Sequence, residues 1–536
     1  MNPLLFYEYG VSKSVGLPFI STWKTDNVST GSSGASQVKL PLVASGTYNF
    51  TVEWGDGSSS LITAWNQAEV THTYAVAGDY VISIAGVCTG WSFMGSGDRL
   101  KLVSISQWGG LRLGTNECGY FHGCSNLDLT NVSDVLDLAG TTSLGSCFER
   151  SGITTVNRMN EWDVSSVTDM NNMFYFAEKF NQDIGNWDVS NVTNMSRILS
   201  VARPFNQDIS RWKVSNVINM FHMLSYTRFN QDVGNWDVSK VTDMTATFYW
   251  TPFNQDISSW DVSNVTNMNG TVGDTQFNQD ISGWNVSNVT NMAGLFQNTP
   301  FNQDISGWNV SNVTNMAGLF QNTPFNQDIS GWDVSNVTNM RSMFSSSSRA
   351  TAFNQDIGNW DVSNVTNMSF MFYGQAIPFN QDISNWNVSN VTNMEGMFYS
   401  NRVFNQNIGN WDVSNVTNMS SMFYDNRVFN QDISSWDVSN VTNMSSMFRS
   451  NTAFNQNIGN WNVSKVAFLN DFMREKVMFS ASNLDAIYNG WSSRPVRPRV
   501  VANFGIIKYS AAGAAGRAIL TSAPNNWTIT DGGITT

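Results

Sequence analysis

Residues 429–448 run Phe-Asn-Gln-Asp-Ile-Ser-Ser-Trp-Asp-Val-Ser-Asn-Val-Thr-Asn-Met-Ser-Ser-Met-Phe, and close copies of this phrase fill the middle of the chain. The triplet Phe-Asn-Gln begins at twelve positions, from Phe180 to Phe454, and a Trp follows seven residues after each. The usual spacing is 24 or 25 residues. A unit of this length cannot bury its apolar side chains alone, so the copies are expected to stack on their neighbours.

The apolar residues within a unit predict its local structure. In the copy from Phe429, Ile433, Trp436 and Val438 follow an apolar-x-x-apolar-x-apolar pattern, whose last two members alternate as in a short strand. The second half of the unit has the apolar spacing of one or two helical turns, at Val441, Met444, Met447 and Phe448. One short strand and one short helical arc are therefore predicted in each coil.

The units resemble those of the BspA-like leucine-rich-repeat surface proteins, a repeat family of bacterial adhesins and phage proteins. The resemblance covers residues 153–477 and rests on the twelve near-copies of the phrase. It implies a leucine-rich-repeat-like solenoid with a short parallel strand plus a short helical arc per coil. It also implies surface adhesion and partner binding rather than catalysis.

Different sequence patterns flank the array. Residues 1–98 contain Trp54-Gly-Asp-Gly57 and His72-Thr-Tyr74 between alternating apolar runs, which predict a small antiparallel β-sandwich. These motifs resemble the PKD domain and imply an immunoglobulin-like fold that attaches or spaces. Within them, Asp56 and His72 are interpreted as structural rather than as an acid–base pair. Residues 99–152 are interpreted as degenerate repeats, and residues 478–536 as an α/β C-terminal cap.

Composition and charge exclude several classes of function. The net charge of −13 disfavours nucleic-acid binding, and it points to neutral or basic partners. No apolar run reaches the length of a membrane span. Three histidines and the spacing of the four cysteines match no zinc site. Cys118 and Cys124 could form a disulfide in an oxidising compartment, or all four thiols could be buried apolar groups.

The N-terminal residues Met1–Tyr9 carry no secretory signal, because a basic region and an apolar core are both missing. This pattern favours a location on the surface of a virion, reached through cell lysis. The alternative is a bacterial cell surface, with the export signal removed from the sequence.

One position of the predicted strand, between the Trp and the Val, should point outward. It is an Asp in most repeats, including Asp412 and Asp437. Carboxylates about 5 Å apart repel one another by about 1 kcal/mol per pair in water. Bound Ca²⁺ could relieve that repulsion, and a solvated polar face is the other interpretation.

The segment that precedes each Phe-Asn-Gln varies most in length and sequence, as binding edges of repeat proteins do. Tyr399 and Arg402 lie at the same places of one repeat as Tyr424 and Arg427 do in the next. Tyr and Arg are enriched at interfaces, so these four residues form the predicted recognition patch. The Trp of each repeat is assigned to the core rather than to a sugar platform.

Together these features predict a non-enzymatic, surface-displayed recognition or adhesion protein. A phage virion structural protein, for host adhesion or for tail or capsid decoration, is the leading hypothesis. A bacterial cell-surface adhesin is the alternative, and a glycan-degrading tailspike is a minor one, since that chemistry needs paired carboxylates. The predicted partners are a host cell-surface protein or glycan, and other virion proteins through the N-terminal domain. No cofactor beyond Ca²⁺ is predicted.

Overall fold

A computed structural model describes residues 16–347, 351–475 and 478–535. Met1–Tyr9, on which the expectation about a secretory signal rests, lie outside the described residues. The chain divides into two compact units. Unit 1 comprises Met1–Asp243 and Thr247–Gln255, and unit 2 comprises Met244–Ala246 and Asp256–Thr536. The division falls inside the predicted array.

The described part of unit 1 begins with eight strands. They are β1 (Phe19–Lys24), β2 (Gln37–Lys39), β3 (Leu42–Glu53), β4 (Ser59–Ile62), β5 (Thr71–Thr73), β6 (Asp79–Trp91), β7 (Leu102–Gln107) and β8 (Leu111–Arg112). Six of them form one sheet in the order β4-β3-β6-β1-β7, with β8 beside β6, while β2 pairs only with β5. An immunoglobulin-like sandwich divides its strands between two packed sheets. That prediction is wrong, because the long strands β3 and β6 join six of the strands into a single sheet. Trp23, Trp54 and Trp91 are fully buried in this region.

The described part of the repeats contains no regular secondary structure. From Asp163 to Glu475 the described residues form neither a helix nor a strand longer than one residue. Within each unit, successive repeats meet through single parallel bridges such as Asn418↔Asn443. The predicted leucine-rich-repeat-like solenoid, with a strand and a helical arc in each coil, is therefore wrong.

Chains of tight turns take the place of the helical arc. The amides of Met444, Ser446 and Phe448 donate to the following repeat at 2.8–2.9 Å. The amides of Met447 and Arg449 close four-residue turns instead, donating to Met444 O at 3.2 Å and to Ser446 O at 3.1 Å. Ser446 and Ser450 have φ of +57° and +56°, as the third position of a type II turn requires. A helix is excluded because its amides all donate to residue i−4.

Turns also replace the predicted strand. Trp436 N–H donates to Ile433 O at 3.2 Å, and Val441 N–H donates to Val438 O at 2.9 Å. These bonds lie within one repeat, so the backbone here is not free to form a ladder with its neighbours. Trp436 and Val438 are still both buried, although Trp436 ends one turn and Val438 begins the next.

The core consists of aromatic columns that follow the repeat. Trp436 and Trp461 are parallel within 6°, with ring centroids 6.4 Å apart. Phe404, Phe429 and Phe454 form a second column with spacings of 6.2–6.3 Å. Most of the repeat tryptophans also donate their indole N–H to a backbone carbonyl of the preceding repeat, as Trp436 does to Ile408 at 3.1 Å. The Trp residues thus fill the interior, as the sequence predicts.

The two repeat lengths use different side chains to close the last turn before Phe. Repeats of 24 residues carry a Thr two positions before Phe; Thr227 donates to Leu224 O at 2.6 Å and accepts from Phe229 N–H at 3.2 Å. Three repeats of 25 residues carry an Asn three positions before Phe. Asn426 accepts from Val428 N–H and Phe429 N–H at 3.2 and 3.0 Å, so its longer side chain spans the extra residue.

In residues 478–535 the structure describes two α-helices and two strands after the last repeat. They are α1 (Ala481–Ser492), β9 (Val501–Asn503), α2 (Ala514–Thr521) and β10 (Thr528–Thr530). Ser480 caps α1 by accepting the Asn483 N–H, as an N-cap serine does. β9 pairs in parallel with β10 and accepts the Met473 N–H of the last repeat at Asn503 O, 2.9 Å away. The C-terminal segment therefore satisfies backbone donors of the array's final repeat.

Candidate recognition cleft

Three consecutive repeats of unit 2 place a tyrosine directly after a buried Phe. These residues are Tyr373, Tyr399 and Tyr424. Each Phe points into the aromatic core and the next side chain emerges at the surface, half-buried. The amides that follow the tyrosines bond to the neighbouring repeat; Ser400 N–H donates to Tyr424 O at 2.7 Å. The backbone therefore holds the three rings in register.

The tyrosine rings contact one another. Tyr399 and Tyr424 stack with centroids 4.3 Å apart and planes 5° from parallel. Tyr373 is 5.1 Å from Tyr399 at an angle of 50°. Burial, followed by the neighbouring Tyr424, raises the pKa of Tyr399 to about 12. The Tyr399 hydroxyl therefore stays protonated well above neutral pH.

A buried carboxylate fixes the arginines beside the rings. The Asp425 side chain is only 9% exposed and accepts from Arg402 Nη2 at 2.5 Å and from Arg427 Nε at 2.8 Å. Arg449 lies over the Tyr424 ring, with its Cζ 5.4 Å from the centroid. Charge-assisted bonds of this kind hold side chains in one geometry. The site thus combines flat rings with fixed cationic groups.

These residues surround a cleft with a volume of about 690 Å³. Tyr373, Tyr399, Tyr424 and Arg427 line it, together with serines and Gln375. Its size falls within the usual range of small-ligand sites. We call this surface the tyrosine cleft.

The structure brings together four of the six residues predicted from the sequence. Tyr399, Tyr424 and Arg427 line the tyrosine cleft, and Arg402 is tied to it through Asp425. Sequence reasoning did not select Tyr373 and Asp425. Tyr373 could have been found, because it follows a Phe at the same repeat position as Tyr399 and Tyr424.

Asp412 and Asp437 do not line the cleft. Both are exposed, and each carboxylate accepts a backbone N–H two residues ahead, from Ser414 and Ser439, at 3.0 Å. They point outward as predicted, but from turns rather than from strands. The Ser414 hydroxyl and amide lower the pKa of Asp412.

Along the row of outward-facing aspartates, hydrogen bonds from serine affect the pKa values more than the neighbouring carboxylates do. The Ser363 hydroxyl and amide lower the pKa of Asp361, and the opposing effect of Asp333 is the smallest of the contributions. Local donors therefore offset the repulsion that motivated the Ca²⁺ hypothesis. The described residues contain no group of three or more His, Cys, Asp or Glu that could hold a metal ion. Ca²⁺ binding stays a prediction.

Asp56 and His72 belong to the packing of the N-terminal domain. Their side chains are 2.8 Å apart, and the His72 ring stacks on Trp54 with centroids separated by 4.7 Å. Tyr74 adds a hydrogen bond to Trp54 O at 2.9 Å. Donation by the Ser58 hydroxyl, and then by His72, lowers the pKa of Asp56 to about 2.

This shift predicts acid sensitivity of the N-terminal domain. A carboxylate whose pKa is lower in the folded state stabilises the fold above its unfolded pKa, and the stabilisation is lost as the pH falls through the folded value. We expect Asp56→Asn to lower the melting temperature at pH 6, and the difference from wild type to shrink between pH 4 and 2. Calorimetric melts of the full chain across this range test it. A difference that stays constant with pH would contradict the assignment.

All four cysteines lie in the described part of the chain and are free thiols, and Cys88, Cys124 and Cys147 are buried. Burial raises the pKa of Cys88 to about 12, which suits an inert apolar role.

Among the described helices, none has the length and apolar character needed to cross a membrane.

Comparison with known proteins places the repeats in a family. Residues 142–252, 225–324, 298–408 and 374–491 match the family described as "Mycoplasma protein of unknown function, DUF285". These overlapping matches span more than half of the 536 residues. No curated protein and no solved structure matches the chain, and the resemblance to BspA-like proteins stays a prediction. The chain belongs to the DUF285 family.

Proposed function

We propose that this chain is a non-enzymatic recognition protein, displayed on a virus particle, that binds a host cell-surface protein or glycan through the tyrosine cleft. The observation that carries the proposal is the cleft itself. Three tyrosines and Arg427 surround about 690 Å³ of space. Tyr and Arg supply large contact areas and directed hydrogen bonds, which is why they dominate interface energetics.

The chemistry of the cleft favours binding over catalysis. Hydrolysis of a glycosidic bond uses two carboxyl groups on opposite sides of the bond. Among the described residues that line the cleft, the one carboxylate is Asp425, and two arginines engage it. A carboxylate held in this way is poorly suited to accept or donate a proton. Incubation with host polysaccharide should therefore release no new reducing ends.

Blocking the cleft tests the proposal. Ala376 is exposed and lines the cleft, so Ala376→Trp should fill part of it without disturbing the core. We expect this variant to reduce binding of the purified protein to host cells, measured by flow cytometry, by about tenfold or more. The matched control is Ala139→Trp, at an exposed alanine of unit 1. Equal binding by both variants would remove the tyrosine cleft from the proposal.

A bacterial cell-surface adhesin is the second candidate. The observation that favours it is the family match, because the description of that family refers to Mycoplasma, a bacterium. Immunogold labelling with an antibody against this chain distinguishes the two locations. Gold on released particles supports the virion, and gold confined to cell surfaces supports the adhesin. In the virion case the N-terminal domain, residues 1–98, is proposed to contact other virion proteins.

A further inference from the structure

The second left-handed position of most repeats lies two residues after the buried Phe or its Leu or Val equivalent. In unit 1 this position holds bulky side chains, with φ of 54–63°, at Arg150, Phe176, Val201, Tyr226 and Trp250. In unit 2 it holds mainly small or polar residues, among them Asp274, Asn298, Asn322, Ser400, Asp425 and Ser450. Asn and Asp tolerate this conformation, whereas bulky or β-branched residues are strained in it. Unit 1 thus retains side chains that the fold itself does not favour, and such strain is concentrated at functional sites.

The strained side chains expose aromatic surface. Trp250 is 58% exposed and Tyr226 is 37% exposed. Their rings lie 6.1 Å apart and within 26° of parallel, and Tyr249 contacts Tyr226 edge-on at 5.7 Å. Adjacent exposed rings of this kind mark interaction surfaces.

A cation lies among the neighbouring rings. The Arg197 Cζ is 4.6 Å from the centroid of Phe221 and 5.8 Å from that of Tyr175. In the described part of the chain, no carboxylate oxygen lies within 4.0 Å of the Arg197 guanidinium. Stacking fixes the plane of a guanidinium while its N–H groups stay able to donate. Arg197 is therefore a positioned donor for an anion. We call the surface formed by Tyr175, Phe176, Arg197, Tyr226 and Trp250 the aromatic edge.

A pocket of about 360 Å³ opens beside Arg197. Tyr175, Phe176, Arg203 and Tyr226 line it together with Arg197. Arg203 pairs with a carboxylate, Glu178, only at 3.8 Å, and both side chains are more than half exposed. Exposed pairs of this kind are weak, so Arg203 can turn to a ligand.

The pocket also includes His222. Burial lowers its pKa, and the nearby Arg197 lowers it further. The positive charge of the pocket at neutral pH therefore resides on the two arginines.

Charge along the turn segments of unit 1 is opposite in sign to that of the whole chain. The turn segments 144–152, 170–179, 195–204 and 220–228 carry five cations, at Arg150, Lys179, Arg197, Arg203 and Arg228. The same segments carry two acids, Glu149 and Glu178. On a chain of net charge −13, this local excess of cations attracts anions to one surface.

We propose that the aromatic edge binds an anionic polysaccharide, with a sugar carboxylate on Arg197 and sugar rings against Tyr226 and Trp250. Arginine matches carboxylate geometry with two parallel hydrogen bonds. The aromatic faces provide flat apolar surface that a pyranose ring can cover with its C–H groups. Poly-glutamate would use the cations but has no ring whose C–H face could cover Trp250.

Defined polymers test the proposal by titration calorimetry on the full chain. The probes are oligogalacturonate, neutral dextran and poly-glutamate. We expect oligogalacturonate to bind, with an affinity that falls as salt is raised from about 0.05 to 0.5 M. Dextran and poly-glutamate should bind about tenfold more weakly or not at all.

Substitutions copied from other repeats separate recognition from folding. Arg197→Asn introduces the residue found at the matching position 172, and Trp250→Asn introduces that of position 298. Both positions have φ above +50°, which Asn tolerates, so both variants should fold as judged by their melting curves. Each should weaken oligogalacturonate binding by about tenfold, the effect of losing one charged hydrogen bond or one stacking surface. The control is Arg211→Asn, at an exposed arginine outside the aromatic edge.

Three outcomes would overturn the proposal. Equal binding of oligogalacturonate and poly-glutamate would reduce the edge to a general anion binder, and binding of poly-glutamate alone would assign it to an acidic peptide. Unchanged affinity in both folded variants would place any polysaccharide elsewhere on the chain.

Discussion

Trp436→Ala should lower the free energy of unfolding by about 3–5 kcal/mol, the usual cost of truncating a buried aromatic side chain. Trp436 is 3% exposed and lies 6.4 Å from Trp461 in the aromatic column. The substitution empties the space that the indole fills between repeats. It also leaves Ile408 O without its 3.1 Å donor. Chemical denaturation followed by circular dichroism measures the loss.

Two controls separate the contributions to this effect. Trp436→Phe retains most of the ring packing but removes the indole N–H, so a loss of about 1–2 kcal/mol is expected. Trp65→Ala changes a Trp that is 45% exposed, and it should cost less. If Trp436→Ala were no more destabilising than Trp65→Ala, the aromatic columns would not be what holds the repeats together.

Asn426→Ala should cost about 3 kcal/mol, because it leaves two buried backbone groups and the partly buried Val428 N–H without partners. The Asn426 side chain is fully buried. It accepts from Val428 N–H and Phe429 N–H, and it donates to Phe404 O at 3.2 Å. Hydrogen exchange of peptides around Phe429 should accelerate in this variant, since the turn before the Phe loses its closing bonds.

A compensating variant makes this prediction specific. Asn426→Thr combined with deletion of Val428 recreates the local order Thr227-Arg228-Phe229 of a 24-residue repeat. Val428 is 37% exposed, so its removal costs little apolar burial. We expect most of the stability lost in Asn426→Ala to return. If the shortened repeat were as unstable as Asn426→Ala, the pairing of Thr with 24 residues and Asn with 25 would have no structural meaning.

The sequence predicts which side chains are buried better than it predicts the backbone. Met444, Met447 and Phe448 are buried as their spacing indicates, yet they lie on turns and not on a helix. A spacing of three and four residues suits any backbone that returns to the same face, and a chain of turns does so. The left-handed residues gave no signal, because the position of Ser446 holds Arg197 in one repeat and Phe370 in another.

The candidate site was predictable where it depends on the repeat register. Tyr399 and Tyr424 occupy matching places 25 residues apart, so their contact follows from stacked repeats. The role of Asp425 was not predictable, since nothing in the local sequence shows that two arginines converge on it. The electrostatics of the carboxylate row also depend on turn geometry that the sequence does not show. Simple Coulomb repulsion ignores the serine donors that turn geometry brings to each aspartate.

The two ways of closing a turn have an evolutionary consequence. The hydrogen bonds that close these turns join residues two or three positions apart, except for the bond from Asn426 to Phe404 O. A 24-residue repeat and a 25-residue repeat can therefore follow one another. Residues 277–300 and 301–324 are identical, as expected if whole units are copied during replication slippage or recombination. Lineages of this chain should therefore differ in copy number by whole units, while the ends that flank the array stay constant.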